Sequence, residues 1–201
     1  LTDALDAINL LVIAVDNSAN ETVYPQMADF TFYGGIYRDV NLICVNESHF
    51  DLDYHGGFGM KYDAEVKGSD AKIKVSTYLN EKAKAEEAEV KVFLQDADGN
   101  LVAEGQGTDA VLHVENVHLW NGKKDPYLYT ATAELVEDGK VIDAVSTRFG
   151  CRTFKIDPEN GFFLNGKEYP LHGVSRHQDR LGIGNALLPE HHKEDMDYIC
   201  E

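Results

Sequence analysis

The chain has 201 residues, 43% hydrophobic and 26% charged, enough apolar material for a core and for one or two domains of ordinary globular composition. Its 35 acidic and 18 basic residues give a formal net charge of -17, a field that repels phosphate backbones and anionic headgroups and argues against nucleic-acid and membrane partners. Cys44, Cys151 and Cys200 are widely spaced with no C-x-x-C pair, so buried free thiols are expected rather than a zinc site or a disulfide framework.

In chain order, the apolar run Ile8 to Val15 reads as a buried strand; it falls far short of the roughly 20 residues that span a bilayer. No basic segment with a cleavage pattern precedes it, and the compartment stays open. Arg38 to Val45 reads as a second strand. The polar and aromatic stretch from Asn17 to Gly35 between them is longer than structureless loops usually are, which suggests a binding loop. From Asn46 to Arg152 the pattern is strand, turn, strand: Lys72 to Tyr78, Glu89 to Gln95, Leu112 to Val114, Tyr127 to Leu135 and Val141 to Phe149. Asp98-Gly99-Asn100 and Asp138-Gly139 supply the positive-φ residues that hairpins require. About seven short strands over roughly 100 residues match an immunoglobulin-like sandwich. Glu81 to Glu89 has helix-like composition but lies between strands, and is expected to be a loop. Asn165-Gly166 between apolar flanks marks a hairpin, Leu171 to Val174 reads as a strand, and Glu190 to Glu201, after Pro189, reads as a helix. The expected fold class is therefore mainly β.

Four collinear segments carry a resemblance. They are Asp29-Phe30-Thr31-Phe32-Tyr33-Gly34-Gly35-Ile36-Tyr37-Arg38-Asp39-Val40; Leu119-Trp120 with Pro126-Tyr127-Leu128-Tyr129; Phe149-Gly150-Cys151-Arg152; and Leu164-Asn165-Gly166-Lys167 followed by Gly173-Val174-Ser175-Arg176-His177. Together they resemble the modular family 2 glycoside hydrolases of the β-galactosidase type. The resemblance implies an internal piece of a longer enzyme: 1–45 as the C-terminal part of a jelly-roll sugar-binding domain, 46–152 as the immunoglobulin-like sandwich, and 153–201 as the first β/α unit of a TIM barrel. It implies a retaining enzyme acting on terminal β-D-galactosides, with a homo-oligomeric parent and catalytic glutamates on later strands. A β-glucuronidase or β-mannosidase would share the architecture.

By the same resemblance, His177 contacts the sugar, and Asp29 reaches sugar hydroxyls and a nearby sodium ion. Arg176 is a substrate-binding candidate with an ion-pair role as the alternative. No cofactor is expected within the chain itself, while sodium or magnesium belongs to the expected parent enzyme. No catalytic or metal-ligating residue is assigned here, because a retaining enzyme needs two carboxyls about 5–5.5 Å apart in a formed cleft, which one β/α unit cannot build. Arg38 and Asp39 are expected in an interdomain ion pair, and Trp120, Tyr127 and Tyr129 in the core or at a domain interface. His191-His192 beside Glu194 and Asp195 is read as a solvated helix start, since adjacent helical residues point about 100° apart. A different class of reading is a stand-alone sandwich that binds carbohydrate or mediates assembly.

Overall fold

The computed structural model describes residues 8–22, 27–28 and 31–201. Alternation of apolar and polar residues builds two antiparallel sheets within residues 43–172, one of the two compact units of the chain. β1 (Met60–Lys67), β2 (Asp70–Thr77) and β5 (Asp109–Val114) form a sheet in the order β1-β2-β5. β3 (Glu89–Gln95), β4 (Leu101–Gln106), β6 (Tyr129–Glu137) and β7 (Lys140–Phe149) form a second in the order β4-β3-β6-β7. Successive side chains on a strand point to opposite faces, so β2 turns Ala71, Ile73 and Val75 inward, β3 Val90, Val92 and Leu94, and β6 Ala131, Ala133 and Leu135. These join Leu112, Phe50 and Phe149 in one core. Each buried Ile or Leu contributes about 1.5–3 kcal/mol relative to exposure. The chain is thus mainly β, with an immunoglobulin-like sandwich of seven strands.

Two features specify that sandwich further. β6 and β7 meet through a two-residue turn in which Asp138 (φ 49°) and Gly139 (φ 74°) are both left-handed, so the turn twist matches the strand twist. Tyr129, at the start of β6, is buried in the core, and its hydroxyl accepts from the His118 backbone N–H at 2.9 Å, which ties the preceding loop to the strand. Burial raises the phenol pKa above its ordinary value.

A small third sheet, β10-β9-β8, comprises β8 (Phe154–Asp157), β9 (Gly161–Leu164) and β10 (Lys167–Glu168). Asn165 (φ 50°) and Gly166 (φ 76°) form the expected hairpin turn. Asn165 also ties this sheet to the sandwich: its Nδ2 donates to Trp120 O (3.0 Å) and Asn121 Oδ1 (2.7 Å), and its Oδ1 accepts from Thr153 N (2.9 Å). In the β8–β9 turn, donation from Lys155 and Asn160 holds the Asp157 carboxyl at about 2.

The second unit, residues 1–42 with 173–201, has α2 (Pro189–Cys200) as its regular element among the described residues. Proline suits the first helical turn, where its missing N–H leaves no bond unmade. His191 Nδ1 accepts from Leu188 N at 3.0 Å and closes the helix start. Among the described residues no helix is long and apolar enough to cross a membrane.

Several expectations are corrected. Ile8 to Val15, Arg38 to Val45 and Leu171 to Val174 are not strands: a strand needs a neighbour for its ladder bonds, and these runs have none among the described residues and stay exposed. Glu81 to Glu89 contains a helix rather than a loop alone, α1 (Glu81–Ala85), because Asn80 Oδ1 accepts from Ala83 N at 3.0 Å and Ala83 anchors in the core. β1 and β4 were not anticipated; both are sheet edges, largely exposed, and lack a full apolar alternation. Cys151 is buried, whereas Cys44 and Cys200 are exposed.

Candidate functional site

Within the second unit, two stretches far apart in sequence meet around a cleft of about 590 Å³. One wall is Thr31, Phe32, Tyr33 and Tyr37; the other is Ser175, Arg176, His177, Gln178 and Asp179, with Asn185 closing one side. The aromatic wall comes from the segment around the Gly-Gly-Ile-Tyr-Arg-Asp run, and the polar wall is the Arg-His-Gln-Asp run.

Local contacts hold these walls in place. The Arg38 guanidinium donates to Asn185 O, to Tyr37 O (3.1 Å) and, at a longer 3.4 Å, to Gln178 Oε1, and it stacks over the Tyr37 ring at 4.8 Å. Arg38 therefore clips the aromatic wall to the polar one through a carbonyl and an amide, not through the expected carboxylate. Gly184 sits at φ +56°, and a Cβ there would approach the Tyr33 ring to 2.9 Å, so only glycine admits the ring this close.

The expected site residues fall out unequally. His177 lines the cleft, between Arg176 and Gln178. Arg176 also lines it but is held from behind by α2: its Nε donates to Asp195 Oδ2 at 2.8 Å, one terminal nitrogen donates to the same carboxylate, and that nitrogen meets His192 Nδ1 at 3.1 Å. The guanidinium beside it lowers the Asp195 carboxyl below its ordinary range. Asp29 lies outside the described residues. Residue-by-residue reading missed Phe32, Tyr33, Tyr37 and Asn185 as cleft residues and Asp195 as the partner of Arg176. The aromatic residues had a signal in their clustering within one loop; Asp195 had none, because its partner lies 19 residues away across a turn.

Chemically the cleft pairs an aromatic face, suited to the C–H face of a sugar ring, with donors and acceptors for hydroxyls. Asp179 is the one carboxylate lining it among the described residues. No group of three or more His, Cys, Asp or Glu among the described residues is arranged to hold a metal ion. The other prominent aromatics lie in the sandwich unit: Tyr129 is buried, Tyr127 stacks on His118 at 3.8 Å, and Trp120 carries the Arg152 guanidinium at 4.9 Å from its ring centre.

Comparison with known proteins finds relatives of one family. Residues 58–152 match the model of "Glycosyl hydrolases family 2". The chain is 39% identical over 204 residues to a β-glucuronidase of Bacteroides fragilis, covering 96% of this chain and 29% of that protein. It is 32% identical to a β-galactosidase of Bacteroides ovatus, covering 90% of this chain and 22% of the relative. It superimposes with a TM-score of 0.84 and 36% identity on an FMN-binding β-glucuronidase from Facaelibacterium prausnitzii L2-6, covering 91% of this chain and 29% of that one. The chain thus spans less than a third of the length of these relatives. A sandwich that matches the family model, and likeness to its members that continues through both cleft walls, lead to one conclusion: the chain belongs to family 2 of the glycosyl hydrolases.

Proposed function

We propose that this chain supplies part of the sugar-binding cleft of a retaining β-glycosidase that acts on terminal β-D-galactosides. The observation that carries the reading is the meeting of Phe32, Tyr33 and Tyr37 with His177, Gln178 and Asp179 around one cleft. The aromatic rings stack on the sugar, while His177 and its neighbours hydrogen-bond its hydroxyls, contacts that strengthen as the ring flattens toward an oxocarbenium-like transition state. Arg176 faces the cleft already paired with Asp195, which suits an uncharged sugar. Double displacement needs a nucleophile and an acid/base carboxyl about 5–5.5 Å apart, and both belong to parts of the parent enzyme outside this chain.

The parent is read as a homo-oligomer with residues 1–45 ending a jelly roll, 46–152 as the connecting sandwich and 153–201 beginning a TIM barrel. The exposed apolar run from Ile8 to Val15 supports further chain packing there. Asp29 is proposed to reach sugar hydroxyls and a nearby sodium ion, and sodium or magnesium is proposed for the parent enzyme. A second substrate reading, a β-D-glucuronide, is supported by the greater identity to a β-glucuronidase.

The test is hydrolysis of 4-nitrophenyl β-D-galactoside and β-D-glucuronide by the full-length protein and by residues 1–201. Turnover is expected only in the full-length protein, with the preferred glycoside deciding between the readings. Activity in the shorter chain would relocate the catalytic carboxylates, and inactivity of both on either glycoside would defeat the proposal.

A further inference from the structure

We propose that Asp195 is a specificity-determining positioning residue: from α2 it holds and neutralises Arg176, and so biases the cleft toward uncharged over anionic sugars. The inference rests on the reading of the cleft as a sugar site. Arg176 is the cation of the polar wall, and its side chain is only 19% exposed. Both Nε and one terminal nitrogen engage a single Asp195 oxygen, and the same terminal nitrogen meets His192 Nδ1, so the helix dictates where the planar head lies. One turn of helix delivers a second pair alongside, Glu194 to Arg180 at 2.5 Å. The loop that carries His177 is thereby latched to α2 at two points, residues 176 and 180.

Charge gives this latch a consequence beyond packing. The paired guanidinium and carboxylate sum to zero, and a carboxylate-bearing sugar approaching the wall meets a dipole rather than a free cation. Asp195→Asn keeps the size of the side chain and an acceptor oxygen but uncovers the positive charge at the same place. Attraction between unit charges about 6 Å apart at an effective dielectric near 60 corresponds to roughly a fivefold gain for the anionic sugar. Asp195→Glu keeps the charge and is expected to leave the preference near the native value. Arg176→Gln leaves an unbalanced negative charge and shifts the preference the opposite way, while Arg176→Gln with Asp195→Asn restores neutrality and returns it.

The experiment measures kcat and KM of the full-length protein and these four variants on 4-nitrophenyl β-D-glucuronide and β-D-galactoside. Expected is a rise of about fivefold in the glucuronide-to-galactoside ratio of kcat/KM for Asp195→Asn, carried by KM, with a fall for Arg176→Gln and recovery in the double variant. Equal losses on both substrates in every variant would show a merely structural pair and overturn the proposal. If the native protein hydrolyses neither glycoside, the sugar-hydrolysis reading fails separately. The preference is then read from equilibrium binding of D-glucuronate and D-galactose, where unchanged affinity ratios, or no binding of either, overturn it.

Discussion

Ile73 and Ile8 are the same residue with opposite fates. In β2 the first has no exposed surface, while the second keeps 93% of its surface in solvent. Residues 43–172 hold two sheets whose inward faces cover each other, so the sandwich finds its own partners for both apolar side chains and backbone groups. The unit made of residues 1–42 and 173–201 keeps Ile8, Leu10, Val12, Val40 and Leu42 exposed and joins its segments through polar contacts around a cleft. One region spends its sequence on stability and the other on presenting side chains. Apolarity alone does not bury a residue; a second surface must be there to meet it.

That contrast can be broken most severely in the core. Ile73→Ala or Leu112→Ala is expected to cost about 2–5 kcal/mol, read from urea unfolding followed by the fluorescence of Trp120, the chain's single tryptophan. Leu10→Ala in the other unit should change the same transition by less than about 0.5 kcal/mol, and a comparable loss would erase the distinction between the units. Next comes Gly59, at φ +68°, where a Cβ would fall 2.7 Å from Asp51 O. Gly59→Ala should cost more than the ~1–2 kcal/mol of a strained left-handed residue, whereas Gly99→Ala, at φ +86° with open space around it, should show the conformational part alone. Tyr129→Phe removes the acceptor for His118 N–H and should cost about 1 kcal/mol in the same assay.

Two smaller effects sharpen the picture of what solvent reaches. Burial pushes the Cys151 thiol up to about 11, so native protein should lose Cys44 and Cys200 to a thiol reagent at pH 8 while Cys151 reacts only on unfolding. Rapid loss of all three thiols would mean that the core opens readily. Asp157, held at about 2 against an ordinary 3.8, favours the folded β8–β9 turn at pH values above its unfolded pKa. This contribution is lost as pH falls through 2, and Asp157→Asn removes that acid step; amide shifts of Glu159 and Asn160 across the titration report it.

Legibility in the sequence followed how local each cause was. Strands β2, β3, β5, β6 and β7, edge or interior, were readable because alternation is written residue by residue, and the Asp138-Gly139 and Asn165-Gly166 turns because left-handed backbone selects those residue types. α2 was readable from Pro189 and the spacing of Met196, Ile199 and Cys200. β1 and β4 were not, since most of their side chains stay exposed or half-exposed and carry no full apolar alternation, unlike β5, which is also an edge. The runs at Ile8 and Arg38 misled for the complementary reason: strand-like composition is a capacity for pairing, and among the described residues no strand lies beside either run.

By itself, then, the sequence determined a mainly β chain, five of the sandwich strands and two of the tight turns, the helix after Pro189 and the two motif-bearing runs at Asp29 to Val40 and Ser175 to Asp179. Only the tertiary structure decided that Phe32, Tyr33 and Tyr37 face His177 across one cleft, that Arg38 clips the walls together and that Asp195 claims Arg176. Periodicity and turn chemistry act over a few residues and leave a mark in the chain, whereas a contact between residue 38 and residue 178 depends on where the whole backbone travels between them.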